Sequence, residues 1–199
     1  MKDTINQNDS NSIPLQGLGV LGTKDMNLEQ VIASIRNVPD FPKPGIIFKD
    51  ITTAMKDAEV LKYISDELYD YYKDKGITKV VGVESSGFVL GSILAYKLGA
   101  GFVLLRKPGK LPAETFRVEY DLEYGSDALE IHKDSIEPSD IVLLHDDLLA
   151  TGGSAGAALK LIDKFNPQSV FVSFLIELEF LSGRPKLNGA EDIHSLIKF

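Results

Sequence analysis

Four apolar runs, at residues 80–83, 102–105, 141–144 and 170–176, lack the polar alternation of a half-exposed strand. Runs of that kind are buried on both faces. When helices separate them, the chain is constrained to a parallel α/β sheet covered on both sides. The spacing predicts helices over residues 86–98, stopped by Gly99, and over 154–165, ending before Asn166-Pro167. Upstream, Asn27 followed by Gln30 predicts a capped helix with Leu28, Val31, Ile32 and Ile35 on one face. The proline-rich stretch 39–45 must leave helical geometry, and Leu61, Ile64, Leu68, Tyr71 and Tyr72 mark a further helix ended by Gly76. Residues 106–131 form a long polar insertion with glycines at 109 and 125, read as a flexible lid hairpin. Residues 1–26 contain no aromatic side chain and are rich in Asn, Asp, Ser and Gly. They read as a flexible extension, which leaves 27–199 as one domain.

Composition narrows the function classes. The 199 residues include no cysteine and three histidines, which excludes disulfides, thiolate metal sites and cysteine nucleophiles. A net charge of −8 weighs against nucleic acid and anionic membranes, but leaves room for a small anion held by a local loop. No apolar run approaches the roughly 20 residues of a membrane span. The start, MKDTINQNDSNS, lacks the basic and apolar blocks of a signal peptide, so a cytoplasmic location is expected.

The chemistry concentrates in residues 141–154, IVLLHDDLLATGGS. A buried strand leads into two carboxylates, a small-residue turn and a helix. In an open α/β sheet, ligands bind beyond the carboxyl ends of the strands. The turn Ala150-Thr151-Gly152-Gly153-Ser154 can aim backbone N–H groups, two hydroxyls and a helix N-terminus at one phosphate. Paired carboxylates would repel that anion unless they held something else, such as ribose hydroxyls or Mg²⁺. The pattern describes a ribose 5-phosphate cradle, with the sugar on Asp146 and Asp147. It is neither a Walker A loop nor a dinucleotide fingerprint.

That string closely resembles the phosphoribosyl-pyrophosphate (PRPP) motif of type I phosphoribosyltransferases. Four further segments are similar to the adenine-specific branch of that family: 41–51 (FPKPGIIFKDI), 81–88 (VGVESSGF), 106–112 (RKPGKLP) and 120–125 (YDLEYG). The resemblance implies a parallel sheet with a small hood, about 27–51 and 176–199, and a lid. It implies transfer of phosphoribose from PRPP to adenine, giving AMP and pyrophosphate, with Mg²⁺ bound mainly through PRPP. By the same resemblance Phe48 stacks on the base, Ile47 and Lys49 present backbone groups to its edge, and Leu178 closes the hood. Glu84, Ser85, Ser86 and Gly87 form the pyrophosphate loop, and Arg106, Lys107 and Lys110 serve pyrophosphate, in part across a homodimer. Glu123 is the acid/base residue facing N7 of adenine, beside Tyr124 of the lid.

Two positions depart from the family pattern. Ser86 stands where an arginine is usual, replacing a planar donor fork by one hydroxyl. His145 replaces an apolar residue and is expected to be a satisfied structural histidine, as are His132 and His194. Two alternatives are weighed against adenine transfer: a phosphoribosyltransferase for a 6-oxopurine, and a non-catalytic PRPP-sensing regulator.

Overall fold

The computed structural model describes residues 26–41, 43–121 and 125–199. The expected extension therefore lies outside the described residues, except Met26, which packs against the core. Helix α1 (Leu28–Ser34) begins with the expected capping box, Asn27 and Gln30 each accepting from the other's backbone N–H. A two-stranded antiparallel hairpin follows, β1 (Arg36–Pro39) and β2 (Ile47–Asp50). Two helices come next, α2 (Thr52–Met55) and α3 (Ala58–Tyr72). Asp57 caps α3, and the helix ends well before Gly76.

The main sheet is built from β3 (Lys79–Val83), β4 (Gly101–Leu105), β7 (Ile141–Leu149), β8 (Ser169–Glu177) and β9 (Asp192–Lys198). They are parallel, in the order β4-β3-β7-β8-β9. Helix α4 (Gly87–Leu98) joins β3 to β4, and α5 (Gly153–Asp163) joins β7 to β8. The two connections run in opposite directions from neighbouring strands. Right-handed crossovers then place α4 and α5 on opposite faces, with a crevice between the ends of β3 and β7. The core divides accordingly. One side packs α3 and α4 through Ile64, Leu68, Leu90 and Leu94; the other packs α5 through Ala158, Leu161 and Ile162. Tyr72 is fully buried, and its hydroxyl donates to Val172 O at 2.9 Å.

Two expectations need correction. The apolar run at 141–144 is only half of its strand: β7 continues to Leu149, because β8 pairs with it as far as Glu177. Residues 176–199 are not all hood, since β9 is the edge strand of the main sheet. The hairpin expected within 106–131 is present and is anchored on the core. Strands β5 (Thr115–Asp121) and β6 (Ser126–His132) form an antiparallel hairpin whose Leu129 and Ile131 are buried in the α5-side core. Phe116 meets Phe165 edge-on, with centroids 5.4 Å apart, and Arg106 bridges Glu130 backbone to backbone. Moving the whole segment would break that core.

Tyr72→Phe deletes a buried hydroxyl and leaves Val172 O without this donor. A loss of about 1 kcal/mol is expected, read by urea unfolding with an unchanged m-value. Unaltered stability would show that the bond contributes nothing net.

Candidate active site

β3 pairs with β7 only as far as Gly82↔His145, so Asp146 and Asp147 stand beyond the end of β3 while β8 still holds the strand from its other side. Both are half-buried. Burial and the adjacent Asp147 charge push the Asp146 carboxyl well above its ordinary 3.8. Burial raises Asp147 too, opposed by hydrogen bonding to Asp146 and the Ser86 hydroxyl. The Asp147 N–H donates to Asp146 Oδ1 at 2.9 Å. Loop 84–87 lies over this pair: a Cβ on Gly87 would stand 2.9 Å from His145 O and 3.1 Å from Asp146 Oδ1. Glycine is required there by space.

Helix ends supply the opposite charge. α1 and α3 are capped by the Asn27 and Asp57 side chains, whereas α4 and α5 receive no side-chain cap. Both uncapped N-termini follow strands that end at the crevice, so their first-turn N–H groups and positive dipole ends are available to anions. Before α5, Gly152 turns the chain at φ +75°, a left-handed conformation that favours glycine. Asp146 and residues 148–155 line a concavity of about 180 Å³ there. Tyr120 of β5 packs against the α5-side core, and its hydroxyl donates to Asp127 Oδ2 at 3.4 Å.

The basic residues converge on Glu84. Arg106 grips its carboxylate with Nε and Nη2, both at 3.2 Å, and the Lys107 N–H adds a third contact at 2.9 Å. These bonds hold Glu84 below its usual range, with the Lys110 charge assisting. Lys107 Nζ lies 2.5 Å from Asp127 Oδ2 on β6. Arg106 and Lys107 are thus already paired with carboxylates, which sequence spacing did not reveal. Ser85 is exposed at the loop's tip.

The hood residues sit on β2. Phe48 meets Phe41 edge-on, with centroids 5.3 Å apart, and Ile47 is 58% exposed. Pro39, opposite Ile47, has no N–H to give the ladder. The bonded pair therefore falls at Val38↔Phe48, and the backbone groups of Ile47 and Lys49 face away from β1. The Lys49 ammonium lies 3.8 Å from the Phe199 ring centroid, placing β2 beside the chain that leaves β9. Leu178 follows β8 and donates its N–H to Leu149 O at 2.9 Å, next to the turn before α5. Glu123 and Tyr124 lie outside the described residues.

Comparison with known proteins agrees with this geometry. Residues 49–182 match the phosphoribosyl transferase domain family. An adenine phosphoribosyltransferase from Bacteroides fragilis is 57% identical over 168 residues, 84% of this chain and 94% of that protein. The chain belongs to the adenine phosphoribosyltransferase family. A solved Giardia lamblia APRTase complexed with 9-deazaadenine superposes with a TM-score of 0.84 at 41% identity, covering 87% of this chain and 98% of the other. A Saccharomyces cerevisiae adenine phosphoribosyltransferase, complexed with an imino-altritol bisphosphate and adenine, gives 0.79 at 38% identity, covering 84% and 97%.

In this member of the adenine phosphoribosyltransferase family, His145 is only half satisfied. It is fully buried; Nδ1 meets Ser173 Oγ at 3.1 Å, and Nε2 has no partner among the described residues. Burial lowers its pKa from 6.5 to about 3. Below pH 6.5 the unfolded chain binds a proton that the folded chain refuses, so stability falls as the pH drops toward 3. His145→Leu removes this loss. In ligand-free protein, unfolding free energies at pH 7.5 and 5.0 are expected to show the variant gaining about 2 kcal/mol relative to wild type on acidification. An identical difference at both pH values would show that His145 titrates normally.

Proposed function

We propose that the chain transfers the 5-phosphoribosyl group of PRPP to adenine, releasing pyrophosphate and forming AMP, as a purine-salvage enzyme of the cytoplasm. The observation that carries this reading is the pair of uncapped helix N-termini flanking two half-buried carboxylates at the sheet's crevice. Two anionic groups on either side of a polyhydroxyl ring fit that arrangement, and PRPP has that form. The α5 turn, with Ala150, Thr151, Gly152, Gly153 and Ser154, takes the 5′-phosphate. Asp146 and Asp147 accept from the ribose hydroxyls and favour positive charge developing on the sugar. Glu84, Ser85, Ser86 and Gly87, at the start of α4, receive pyrophosphate, with Arg106, Lys107 and Lys110 beside it.

Adenine lies against Phe48, with Leu178 closing the hood and the outward backbone groups of Ile47 and Lys49 at its edge. A carbonyl there accepts from adenine's exocyclic amine and faces an oxygen in a 6-oxopurine. Such a mismatch leaves a buried acceptor unpaired, which costs about 1–3 kcal/mol. N9 attacks C1′ as pyrophosphate departs, and Glu123 accepts the N7 proton, with Tyr124 beside it. Among the described residues no three acidic or histidine side chains gather into a metal cluster. Asp146 and Asp147 supply two carboxylates at most, which fits Mg²⁺ that keeps its other ligands on PRPP and water. When bound, it neutralises charge on the pyrophosphate.

The reading includes a homodimer, supported by the outer face of α4. Lys97 is the helix's one charged residue, and its outer face exposes Val89 and Tyr96, the latter 88% exposed. A second copy covering that face would take this apolar surface out of water. Light scattering of active protein is expected to report a dimer; an active monomer would overturn this part.

Incubation with adenine, PRPP and Mg²⁺ is expected to form AMP, with adenine preferred over hypoxanthine and guanine by roughly tenfold or more. Preference for a 6-oxopurine, or PRPP binding without turnover, would favour the alternatives. Glu123→Gln is expected to lower turnover by about 10²–10⁴-fold with PRPP affinity retained. Near-normal turnover would remove Glu123 from the mechanism.

A further inference from the structure

Gly183 has φ −72° and ψ −30°, a conformation open to any residue. Space, not backbone conformation, dictates the glycine: a Cβ there would stand 2.4 Å from Ala150 O and 3.0 Å from Gly152 N. The converse holds as well, since a Cβ on Gly152 would stand 2.4 Å from Gly183 O. The two backbones are in direct contact at the turn before α5. Ala150, Gly152 and Gly153 have no side chains able to shape that turn, and no side chain caps α5. Its outer wall is the segment around Gly183.

One side chain ties that wall to the sheet. Arg184 donates from Nε to Glu177 Oε1 at 2.6 Å and from Nη2 to Oε2 at 2.7 Å. Its Nη1 donates to Ile193 O on β9 at 3.0 Å. Glu177 closes β8 with its side chain only 5% exposed, and the guanidinium holds it below the usual carboxylate range. A planar fork with three directed bonds fixes the orientation of its own backbone, which a lysine point charge does not. Beyond it, Leu187 is buried in the core, and Lys186 O lies close to Gly156 of α5.

We propose that Arg184, clamped by Glu177, is a positioning residue for the 5′-phosphate turn and acts through the backbone of Gly183. This rests on the assignment of that turn to phosphate. Ligands carrying a 5′-phosphate depend on the clamp. Pyrophosphate, at the α4 end of the crevice, does not.

Calorimetric titration of the full chain with ribose 5-phosphate, AMP and pyrophosphate tests this. Arg184→Lys and Glu177→Gln are expected to weaken ribose 5-phosphate and AMP by roughly tenfold to a hundredfold, with pyrophosphate within about twofold. Glu179→Gln removes the half-exposed pair with Lys198 (3.0 Å) from the same segment and is expected to change none of the three. Should the clamp variants fail to fold, Gly183→Ala addresses the contact directly, with the same selective loss expected. Equal weakening of all three ligands, or normal ribose 5-phosphate binding by every folded variant, overturns the proposal. Wild-type protein without ribose 5-phosphate affinity overturns the phosphate-turn assignment itself, and the proposal with it.

Discussion

The pairing of β7 is unequal on its two sides, and the crevice follows from that inequality. β3 stops at His145, whereas β8 continues to Leu149. A strand held on both edges would bury its polar groups in ladder bonds. Held on one edge only, residues 146–149 remain extended and ordered yet open toward loop 84–87. The opposite directions of the α4 and α5 crossovers place this opening at the switch in strand order, where two helix N-termini approach it. Backbone geometry thereby creates a site for anions in a chain whose net charge is strongly negative.

Much of this was legible from the residues. Apolar runs without alternation identify buried parallel strands because both faces are covered, and β3, β7 and β8, with neighbours on each side, satisfy that condition. The run of β4 also forms a parallel strand, but at the sheet edge, where Leu104 is exposed. β9 has no such run. It lies at the sheet edge, half-exposed, and its Asp192, His194 and Ser195 mask a strand in the sequence. The hairpin read at 106–131 is present as β5 and β6, but its anchoring was masked for a related reason. Polar residues on β5 and β6 suggest a solvated insertion, but Leu129 and Ile131 alternate with them and point into the core.

The candidate site divides along the same line. Asp146, Asp147 and the turn that follows are contiguous, so one short string displays their chemistry. Contacts made at a distance leave no such trace. Nothing near Glu84 announces that Arg106, 22 positions later, will occupy its carboxylate. Nothing local to Gly183 announces that its missing side chain makes room for Ala150. His145 illustrates a third case. Its burial was foreseeable from the strand, but that Ser173 of β8 reaches Nδ1 and nothing among the described residues reaches Nε2 was not.

The half-buried carboxylates also bear on how such a chain evolves. Their raised proton affinities mean that ionising them side by side opposes folding in the empty protein. Amides at these positions would relieve that opposition, each exchanging one accepting oxygen for an NH2 donor. Selection for heat resistance alone would therefore erode the crevice before it touched the hydrophobic layers, and a library screened only for thermal survival would drift toward inert variants. The fold gives up stability where its two carboxylates stand side by side.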